Sequence, residues 1–316
     1  MAQIVQNTTL IIGACGQIGT ELTLALRKAK GGSKIIASDI REGGEQLMES
    51  GPFEMVDATD YGAIEDAVLH QDVSEIYLMA AMLSATAEKF PEKAWSLNMK
   101  SLLNVLNLAK EGKINKIFWP SSIAVFGPDS PKENTPQKAI MDPSTVYGIS
   151  KLAGERWCNY YHHKYGVDVR SLRYPGLLSW KTAPGGGTTD YAIEMFHKAV
   201  SNGKYSCFLK KDSRLPMMYI DDAIRATLQL MEAPVENIKI RSSYNLAAIN
   251  FTPEELADSI KSHIPGFKVD YKPDFRQEIA DSWPASLDDQ AARIDWGWAP
   301  EFDLHRTTKE MLANIS

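Results

Sequence analysis

The chain has 316 residues, of which 44% are hydrophobic and 23% charged, and its formal net charge is −6. An acidic chain without clustered Lys and Arg is unsuited to nucleic-acid or anionic-membrane surfaces, so we expect neither partner. No apolar run approaches the ~20 residues of a membrane span. The first apolar run, Thr9 to Cys15, is short and lacks the basic flank of a signal peptide. We therefore expect a cytoplasmic protein.

A glycine-rich turn follows the first predicted strand. Thr8 to Ile12 is an apolar, β-branched run typical of a strand covered on both faces, and Thr20 to Ala29 has a helical pattern. In this setting the first glycine permits a tight turn, the second lets a pyrophosphate approach the backbone, and the third lets helix and strand pack closely. The dinucleotide-binding residues predicted in this turn are Gly13, Cys15, Gly16, Gln17, Ile18 and Gly19.

A second predicted strand, Lys34 to Ser38, ends at Asp39, twenty residues after Gly19. A carboxylate at this position accepts hydrogen bonds from the ribose 2′-hydroxyl and repels a 2′-phosphate, so Asp39 favours NAD over NADP. Arg41 lies close enough to leave NADP open as an alternative.

Predicted strands and helices continue to alternate along the chain. The strand-like runs Glu75 to Ala81 and Lys116 to Pro120 flank a long predicted helix, Pro91 to Lys110. This alternation predicts an α/β fold with a doubly wound parallel Rossmann sheet, in which ligands bind beyond the carboxyl ends of the strands. Asn98 fits either a structural role or a proton relay. The polar or small residues expected near the cofactor are Asp57, Ala80, Ala81, Asn98, Ser121 and Ser122.

The segment from Asp142 to Lys151 contains a candidate general base. If it is helical after Pro143, Tyr147 and Lys151 lie on one face, one turn apart. A phenol has a pKa near ~10 in solution, and an adjacent ammonium stabilises the phenolate and lowers that pKa. Such a pair can remove a hydroxyl proton. The spacing alone is also common on solvated helix faces.

Together these motifs resemble the extended short-chain dehydrogenase/reductase superfamily over essentially the whole chain. The GxxGxxG turn, the Asp after the second strand, the segment Ser121 to Gly127 and the Tyr147-x-x-x-Lys151 pair occur in the superfamily's order and approximate spacing. The resemblance implies that Ser122 orients the substrate oxygen, that Tyr147 takes its proton, and that Lys151 lowers the tyrosine pKa and holds the nicotinamide ribose.

The same resemblance places Tyr174, Pro175 and Gly176 at the cofactor. It also implies a homodimer formed through the helix that bears the catalytic tyrosine and the long helix before it. Nucleotide-sugar epimerases and dehydratases of the superfamily usually carry an Asn at the position of Gly176 to contact the sugar nucleotide, and this Asn is missing.

Three further segments are similar to the short-chain type of L-threonine 3-dehydrogenase: Leu83-Ser84, Gly185 to Ala192, and Ser282 to Pro284. This resemblance implies oxidation of the β-hydroxyl of L-threonine by NAD to give L-2-amino-3-oxobutanoate and NADH. A tyrosinate base and an oriented nicotinamide suffice for this reaction, and the chain shows no Cys and His cluster, so no metal is expected. A nucleotide-sugar epimerase or dehydratase is the alternative.

A glycine-rich loop, Pro184 to Gly187, leads into a helix predicted to begin near Thr188 or Thr189. A helix N-terminus with free N–H groups suits a small carboxylate. No partner for a substrate ammonium group is visible in the sequence. The expected substrate-binding residues are Ser84, Ser122, Tyr147, Gly186, Thr188, Thr189 and Trp283.

Two domains are expected. The NAD-binding Rossmann domain comprises residues 1–175 and 216–248, and the smaller substrate domain comprises residues 176–215 and 249–316. The run Leu215 to Arg225 is similar to the strand and helix that return the chain to the main sheet, with Asp221 and Asp222 as helix caps. Thr252 to Glu255 predicts a capping box.

Overall fold

The structure, a computed structural model, describes residues 8–181 and 187–315. The strands in these ranges are β1 (Thr8–Ile12), β2 (Ile35–Asp39), β3 (Phe53–Met55), β4 (Val73–Leu78), β5 (Lys116–Ser122), β6 (Asp168–Tyr174), β7 (Gly176–Leu178), β8 (Lys204–Cys207), β9 (Leu215–Tyr219), β10 (Tyr244–Asn245), β11 (Ile249–Phe251) and β12 (Lys268–Tyr271). The helices are α1 (Gln17–Lys30), α2 (Glu45–Glu49), α3 (Tyr61–His70), α4 (Ser84–Lys89), α5 (Pro91–Lys110), α6 (Val146–Tyr165), α7 (Tyr191–Ser201), α8 (Ile220–Glu232), α9 (Pro253–Lys261), α10 (Arg276–Ser282), α11 (Gln290–Trp296) and α12 (Leu304–Asn314).

Seven of these strands form one parallel sheet in the order β10-β6-β5-β4-β1-β2-β3. Successive side chains of β1 enter opposite cores: Leu10 and Ile12 pack with Leu106 of α5, whereas Ile11 packs with Ala223 of α8. Helices therefore cover both faces of the sheet, which explains the uninterrupted apolar run of β1. The predicted doubly wound parallel sheet is confirmed.

The predicted strand Glu75 to Ala81 begins earlier and ends sooner, because β4 spans Val73–Leu78. The N–H groups of Met79 and Ala80 both donate to the carbonyl of Ile12, at 2.7 and 3.0 Å, so the chain leaves the regular ladder at this point. This places the loop after β4 against the end of β1.

The prediction that the run from Leu215 returns to the main sheet is wrong for its strand but confirmed for its helix, since α8 packs against β6 of that sheet. β9 pairs with β7 and β11 in a separate three-stranded sheet, and β10 takes the edge of the main sheet beside β6. Because β10 already occupies the edge of β6, β9 forms its backbone hydrogen bonds with β7 instead. β7 follows β6 directly in the chain. A two-stranded sheet of β8 and β12 completes the set of sheets in the described ranges. The exact domain boundaries stay a prediction.

The predicted capping box at Thr252 is confirmed, since its hydroxyl accepts from Glu255 N and its own N–H donates to Glu255. The prediction that Asp221 and Asp222 cap α8 is wrong. The residue before α8 is Tyr219, which makes no side-chain capping bond. The Asp222 carboxylate is fully buried and accepts instead from the backbone N–H groups of Glu301 and Phe302, so it joins α8 to the C-terminal segment.

We predict that Asp222→Asn lowers the free energy of unfolding by about 1–3 kcal/mol. Whichever way the amide is turned, its N–H₂ group would face a donor, either the N–H groups of Glu301 and Phe302 or the guanidinium of Arg225, and the charge on their acceptor would be lost. Urea denaturation of the two proteins measures the difference. Asp221→Asn is the matched control, because Asp221 is exposed on the same helix and its substitution is expected to be nearly neutral. Equal stability of Asp222→Asn and wild type would contradict this role.

Candidate active site

The glycine turn between β1 and α1 is held tightly against its neighbours. The N–H groups of Gly13 and Ala14 both donate to the carbonyl of Ser38 at the end of β2. Gly13 has a φ of 91°, and a Cβ there would lie 2.4 Å from Ala80 N. A Cβ on Gly19 would lie 2.2 Å from the carbonyl oxygen of Gly13. The backbone of the protein itself therefore requires glycine at positions 13 and 19.

Gly16 differs from these two glycines. A Cβ there would contact only the carbonyl of Gly13, at an ordinary 3.5 Å. Gly16 lines a cavity, and the buried Nε2 of Gln17, in the first turn of α1, has no hydrogen-bond partner among the described residues. Open space and unused donors at a helix N-terminus fit the pyrophosphate of a dinucleotide.

Asp39 is held beside this turn. Its Oδ2 accepts from Cys15 N at 3.0 Å and its Oδ1 accepts from Ile40 N at 2.8 Å. Burial, followed by the nearby Asp39 charge, raises the pKa of the Cys15 thiol to about 11, so the thiol stays protonated. Its Sγ donates to the carbonyl of Arg41. The turn and the end of β2 are thus brought together as the sequence predicts, with the Asp39 carboxylate next to the turn.

Asp57 and Asn98 have partners within the protein. Asp57 accepts from the N–H and the hydroxyl of Thr59 beyond β3. The Asn98 amide accepts from Met82 N at 2.8 Å and donates to Met82 O and to the hydroxyl of Ser150. It therefore ties the loop after β4 to α6, which favours the structural alternative for Asn98. Direct contact of either side chain with a cofactor stays a prediction.

The predicted Ser, Tyr and Lys residues converge on the same cavity. The sequence places Ser121 and Ser122 just past a strand that ends at Pro120, whereas β5 includes both and ends at Ser122. Thr145 caps α6 by accepting from Gly148 N at 3.0 Å. Lys151 Nζ donates to the carbonyl of Pro120 at 2.6 Å and lies 5.6 Å from the centre of the Tyr147 ring.

Burial dominates the ionisation of this pair. It raises the pKa of Tyr147 to about 12, against the hydrogen bond from Ser122, which lowers it. Burial also lowers the pKa of Lys151 to about 7. Removal from water penalises both charged forms, so burial opposes the lowering of the tyrosine pKa that is expected of Lys151. That lowering stays a prediction.

Residues 187–190, which precede α7, line the part of the cavity where substrate binding is predicted. The predicted helix start near Thr188 is a 3₁₀ turn, Thr188–Asp190, and α7 begins at Tyr191. The hydroxyl of Thr188 is buried without a hydrogen-bond partner in the described ranges. Ser84, Thr188, Thr189 and Trp283 all line the cavity. Gly186, also predicted to bind substrate, lies outside the described residues.

The space beside Gly176 is filled. A Cβ at this position would lie 2.4 Å from Met217 Sδ and 2.7 Å from Thr189 Cγ2. An Asn side chain, which would contact a sugar nucleotide, would require the side chains of Met217 and Thr189 to move.

The cavity brings together most of the residues predicted from sequence, and some that were missed. Those predicted and found in its lining are Gly13, Gly16, Gln17, Ile18, Gly19, Ala81, Ser84, Ser122, Tyr147, Lys151, Tyr174, Pro175, Gly176, Thr188, Thr189 and Trp283. Those predicted that do not line it are Cys15, Asp39, Arg41, Asp57, Ala80 and Asn98. Those missed include Met79, Pro120, Ile123, Leu177 and Asp190. Met79 directly follows β4, so the rule that ligands bind beyond strand ends would have found it.

Residues 9–247 match the NAD dependent epimerase/dehydratase family. The chain belongs to this family. Among curated relatives, the mitochondrial L-threonine 3-dehydrogenase of Bos taurus is 47% identical over 97% of this chain and 82% of its own length.

Solved structures that resemble this member of the family include two threonine dehydrogenases. A GalE-like L-threonine dehydrogenase from Cupriavidus necator, in its holo form, has a TM-score of 0.95 and 53% identity, covering 98% of this chain and all of that one. A monomeric L-threonine 3-dehydrogenase from a metagenome, in its apo form, has a TM-score of 0.94 and 50% identity, covering 98% of both chains.

Neither a metal-binding cluster nor a membrane-spanning helix is found in the described ranges. They contain no group of three or more His, Cys, Asp or Glu side chains placed to hold a metal ion. None of the helices in those ranges is both long enough and apolar enough to cross a membrane.

We predict that Gly16→Ala keeps the stability of the wild type within about 1 kcal/mol but weakens NAD binding roughly tenfold or more. The new methyl group has room in the protein and would occupy space next to the phosphates. Isothermal titration calorimetry with NAD and urea denaturation measure the two effects.

Gly19→Ala is the matched comparison for this test. It is expected to lower stability itself, because its Cβ would meet backbone atoms of Gly13 and Ala14 at under 3 Å. If Gly16→Ala binds NAD as tightly as wild type, the phosphates do not lie next to Gly16 and the prediction is wrong.

Proposed function

We propose that the protein oxidises the β-hydroxyl of L-threonine with NAD, giving L-2-amino-3-oxobutanoate and NADH. The observation that carries this is the convergence of Ser122, Tyr147 and Lys151 on one cavity, which the glycine turn bounds on one side and Thr188 and Thr189 bound on the other. Similarity to L-threonine dehydrogenases over almost the whole chain supports the same substrate.

Each residue of the triad has a role that its position allows. Ser122 ends β5 and its hydroxyl hydrogen bonds to the phenol of Tyr147, so it can hold the substrate oxygen beside the base. Tyr147, as tyrosinate, takes the hydroxyl proton. Lys151 supplies the adjacent cation and is fixed by the Pro120 carbonyl. NAD, when bound, supplies the hydride acceptor.

The residues proposed to hold NAD are those of the glycine turn, with Asp39 at the adenosine ribose. The open space at Gly16 and the unpaired amide of Gln17 support the phosphate position. The carboxylate of Asp39, beside the turn, supports NAD over NADP, since it would repel a 2′-phosphate.

The residues proposed to hold the amino acid are Ser84, Thr188, Thr189 and Trp283. The buried, unpaired hydroxyl of Thr188 is a ready donor for a carboxylate. A sugar nucleotide is disfavoured, because Met217 and Thr189 fill the space where the contacting Asn of an epimerase would lie. The cytoplasmic location and the two-domain division are further parts of this proposal that rest on the sequence.

We predict that Tyr147→Phe lowers turnover of L-threonine by about 10²–10⁴-fold while NAD still binds. The variant removes the base and leaves the ring in place. Absorbance of NADH, with NAD and L-threonine as substrates, measures turnover; calorimetry measures binding. Tyr77→Phe is the matched control, because the Tyr77 hydroxyl is buried and has no hydrogen-bond partner in the described part of the chain.

Parallel assays with L-serine, L-allo-threonine and a UDP-sugar test the substrate. Turnover confined to L-threonine is the expected result. A fully active Tyr147→Phe protein would contradict the mechanism, and tight binding of the UDP-sugar would favour the epimerase alternative.

The protein is proposed to form a homodimer through α5 and α6. Apolar side chains that are exposed on these helices support this surface: Trp95, Ile149, Trp157 and Tyr160. The two helices are also packed against each other, so their exposed faces can form one continuous surface for a second copy. The similar metagenome enzyme is described as monomeric, which makes a direct measurement necessary.

We predict that light scattering after size-exclusion chromatography gives the mass of a dimer, and that Trp157→Glu shifts it toward the monomer, since a charge would be buried at the interface. Ile294→Glu, on α11, is the matched control because Ile294 is also exposed and lies outside the proposed surface. A wild-type monomer at all concentrations tested would contradict the dimer.

A further inference from the structure

A buried ion pair lies next to the catalytic helix. Arg173 of β6 donates from Nε to Glu155 Oε1 at 2.8 Å and from Nη2 to Glu155 Oε2 at 2.7 Å. The two side chains are 1% and 0% exposed. Removing two charges from water costs several kcal/mol per ion, so a pair of this kind often contributes little net stability. Its position indicates a different role.

The contact between α6 and β5 repeats at every turn of the helix. Three residues of α6, each four positions apart, contact three consecutive residues of β5. These pairs are Tyr147 with Ser122, Lys151 with Pro120 at 2.6 Å, and Glu155 with Ser121 at 2.7 Å. The hydroxyl of Ser121 is the donor to Glu155 Oε1. Glu155 therefore fixes the residue that directly precedes the catalytic serine.

Glu155 is held firmly from the side of β6. Ser121 and Arg173 are neighbours across the β5 and β6 ladder. Arg173 also donates to Asn245 Oδ1 at 2.9 Å and to the carbonyl of Gln137 at 3.1 Å. The guanidinium is thus anchored to β10 and to the loop before α6, and the carboxylate cannot turn away from Ser121 without breaking these contacts.

Glu155 also affects the protonation of Lys151, which lies one helical turn away on the same face of α6. Burial lowers the pKa of Lys151, and the Cys158 and Glu155 charges oppose that shift. Burial keeps the Cys158 thiol protonated by raising its pKa. The carboxylate is therefore the anion that supports an ammonium at Lys151. From β5, the Pro120 carbonyl accepts a hydrogen bond from the Lys151 ammonium.

The remaining groups around Lys151 do not replace this anion. Tyr147 lies one turn before it, with the phenol protonated at neutral pH because burial raises its pKa. The Trp119 ring of β5 lies 4.6 Å from Nζ. Asn98 of α5 reaches α6 as a neutral amide, through Ser150. Arg173 is a cation paired with Glu155, so its own charge disfavours an ammonium at Lys151.

We propose that Glu155 is a positioning residue of the active site: braced by Arg173, its carboxylate fixes Ser121 and hence Ser122 against α6, and keeps the neighbouring Lys151 cationic. This rests on the proposed function, in which Tyr147 is the base. The carboxylate does not contact the reacting atoms; it acts through Ser121 and Lys151.

The test is the pH dependence of kcat for Glu155→Gln. Without the anion, Lys151 loses its proton at lower pH, the phenolate loses its cationic neighbour, and the pKa of Tyr147 rises. The acidic limb of the profile is therefore expected to move upward by about one pH unit, with a roughly tenfold loss of rate at neutral pH.

A second variant distinguishes loss of the Glu155 charge from a folding defect. Glu155→Gln alone leaves Arg173 as an unpaired buried cation, whereas Glu155→Gln with Arg173→Met leaves no buried charge in the pair. The double variant is expected to fold and to show an upward shift, smaller than that of Glu155→Gln because the Arg173 cation, which opposes an ammonium at Lys151, is removed as well. Ser121→Ala, which removes only the hydroxyl, is expected to lower kcat without moving the limb.

Asp168→Asn is the matched control. Asp168 begins β6, at the opposite end from Arg173, and forms ion pairs with Arg170 and Arg241. Its loss is expected to lower stability without moving the pH limb. An equal shift in this control, or an unchanged limb in the folded double variant, would overturn the proposal.

An assay that needs no turnover separates this inference from the proposed function. Ultraviolet titration of tyrosinate, taken as the difference between each protein and its own Tyr147→Phe version, gives the Tyr147 pKa directly. A higher value in the double variant than in wild type supports the role of Glu155, even if L-threonine proves not to be the substrate. Equal values overturn it. Absence of turnover in wild type would overturn only the proposed function.

Discussion

The contact between α6 and the end of β5 is the constraint on which the site depends. A cap at Thr145 fixes where α6 begins, and Gly148 allows the helix to approach so closely that a Cβ there would lie 2.1 Å from the Ala124 carbonyl. Tyr147 can reach Ser122 because of this approach. The glycine turn, Thr188 and Thr189 line the same cavity as this pair. A small separation of helix and strand would disperse all of these groups.

Burial makes this site costly to ionise. Taking Tyr147 and Lys151 out of water raises the pKa of the phenol and lowers that of the ammonium, so each resists the charge that catalysis needs. The same exclusion of water strengthens every interaction between charges inside the site. The surrounding dipoles and the Glu155 carboxylate therefore interact with these charges more strongly than they would at a surface. Site chemistry of this kind depends on the second layer of residues as much as on the first.

Much of the fold and of the site could be predicted from local patterns. Alternating strands and helices gave the parallel sheet, and the glycine spacing gave the turn at Gly13 to Gly19. The prediction failed where pairing is decided between distant segments: the edge of β6 could accept only one strand, and no local signal shows that β10 takes it instead of β9. The predicted capping role of Asp222 failed for the same reason, since its hydrogen-bond partners Glu301 and Phe302 lie some eighty residues away in the sequence. The effect of burial on the pKa of Tyr147 could not be predicted, because spacing along a helix does not report burial.

The filled space at Gly176 affects how this enzyme could change over evolution. Met217 Sδ and Thr189 Cγ2 both lie within 3 Å of the position a Cβ would occupy, and they belong to different elements of the chain. A route toward a sugar-nucleotide enzyme would require both side chains to move or to be replaced by smaller ones before an Asn became useful at position 176. Neither smaller residue would benefit the present substrate by itself. Single mutations are thus poorly placed to connect the two specificities, although the fold is shared.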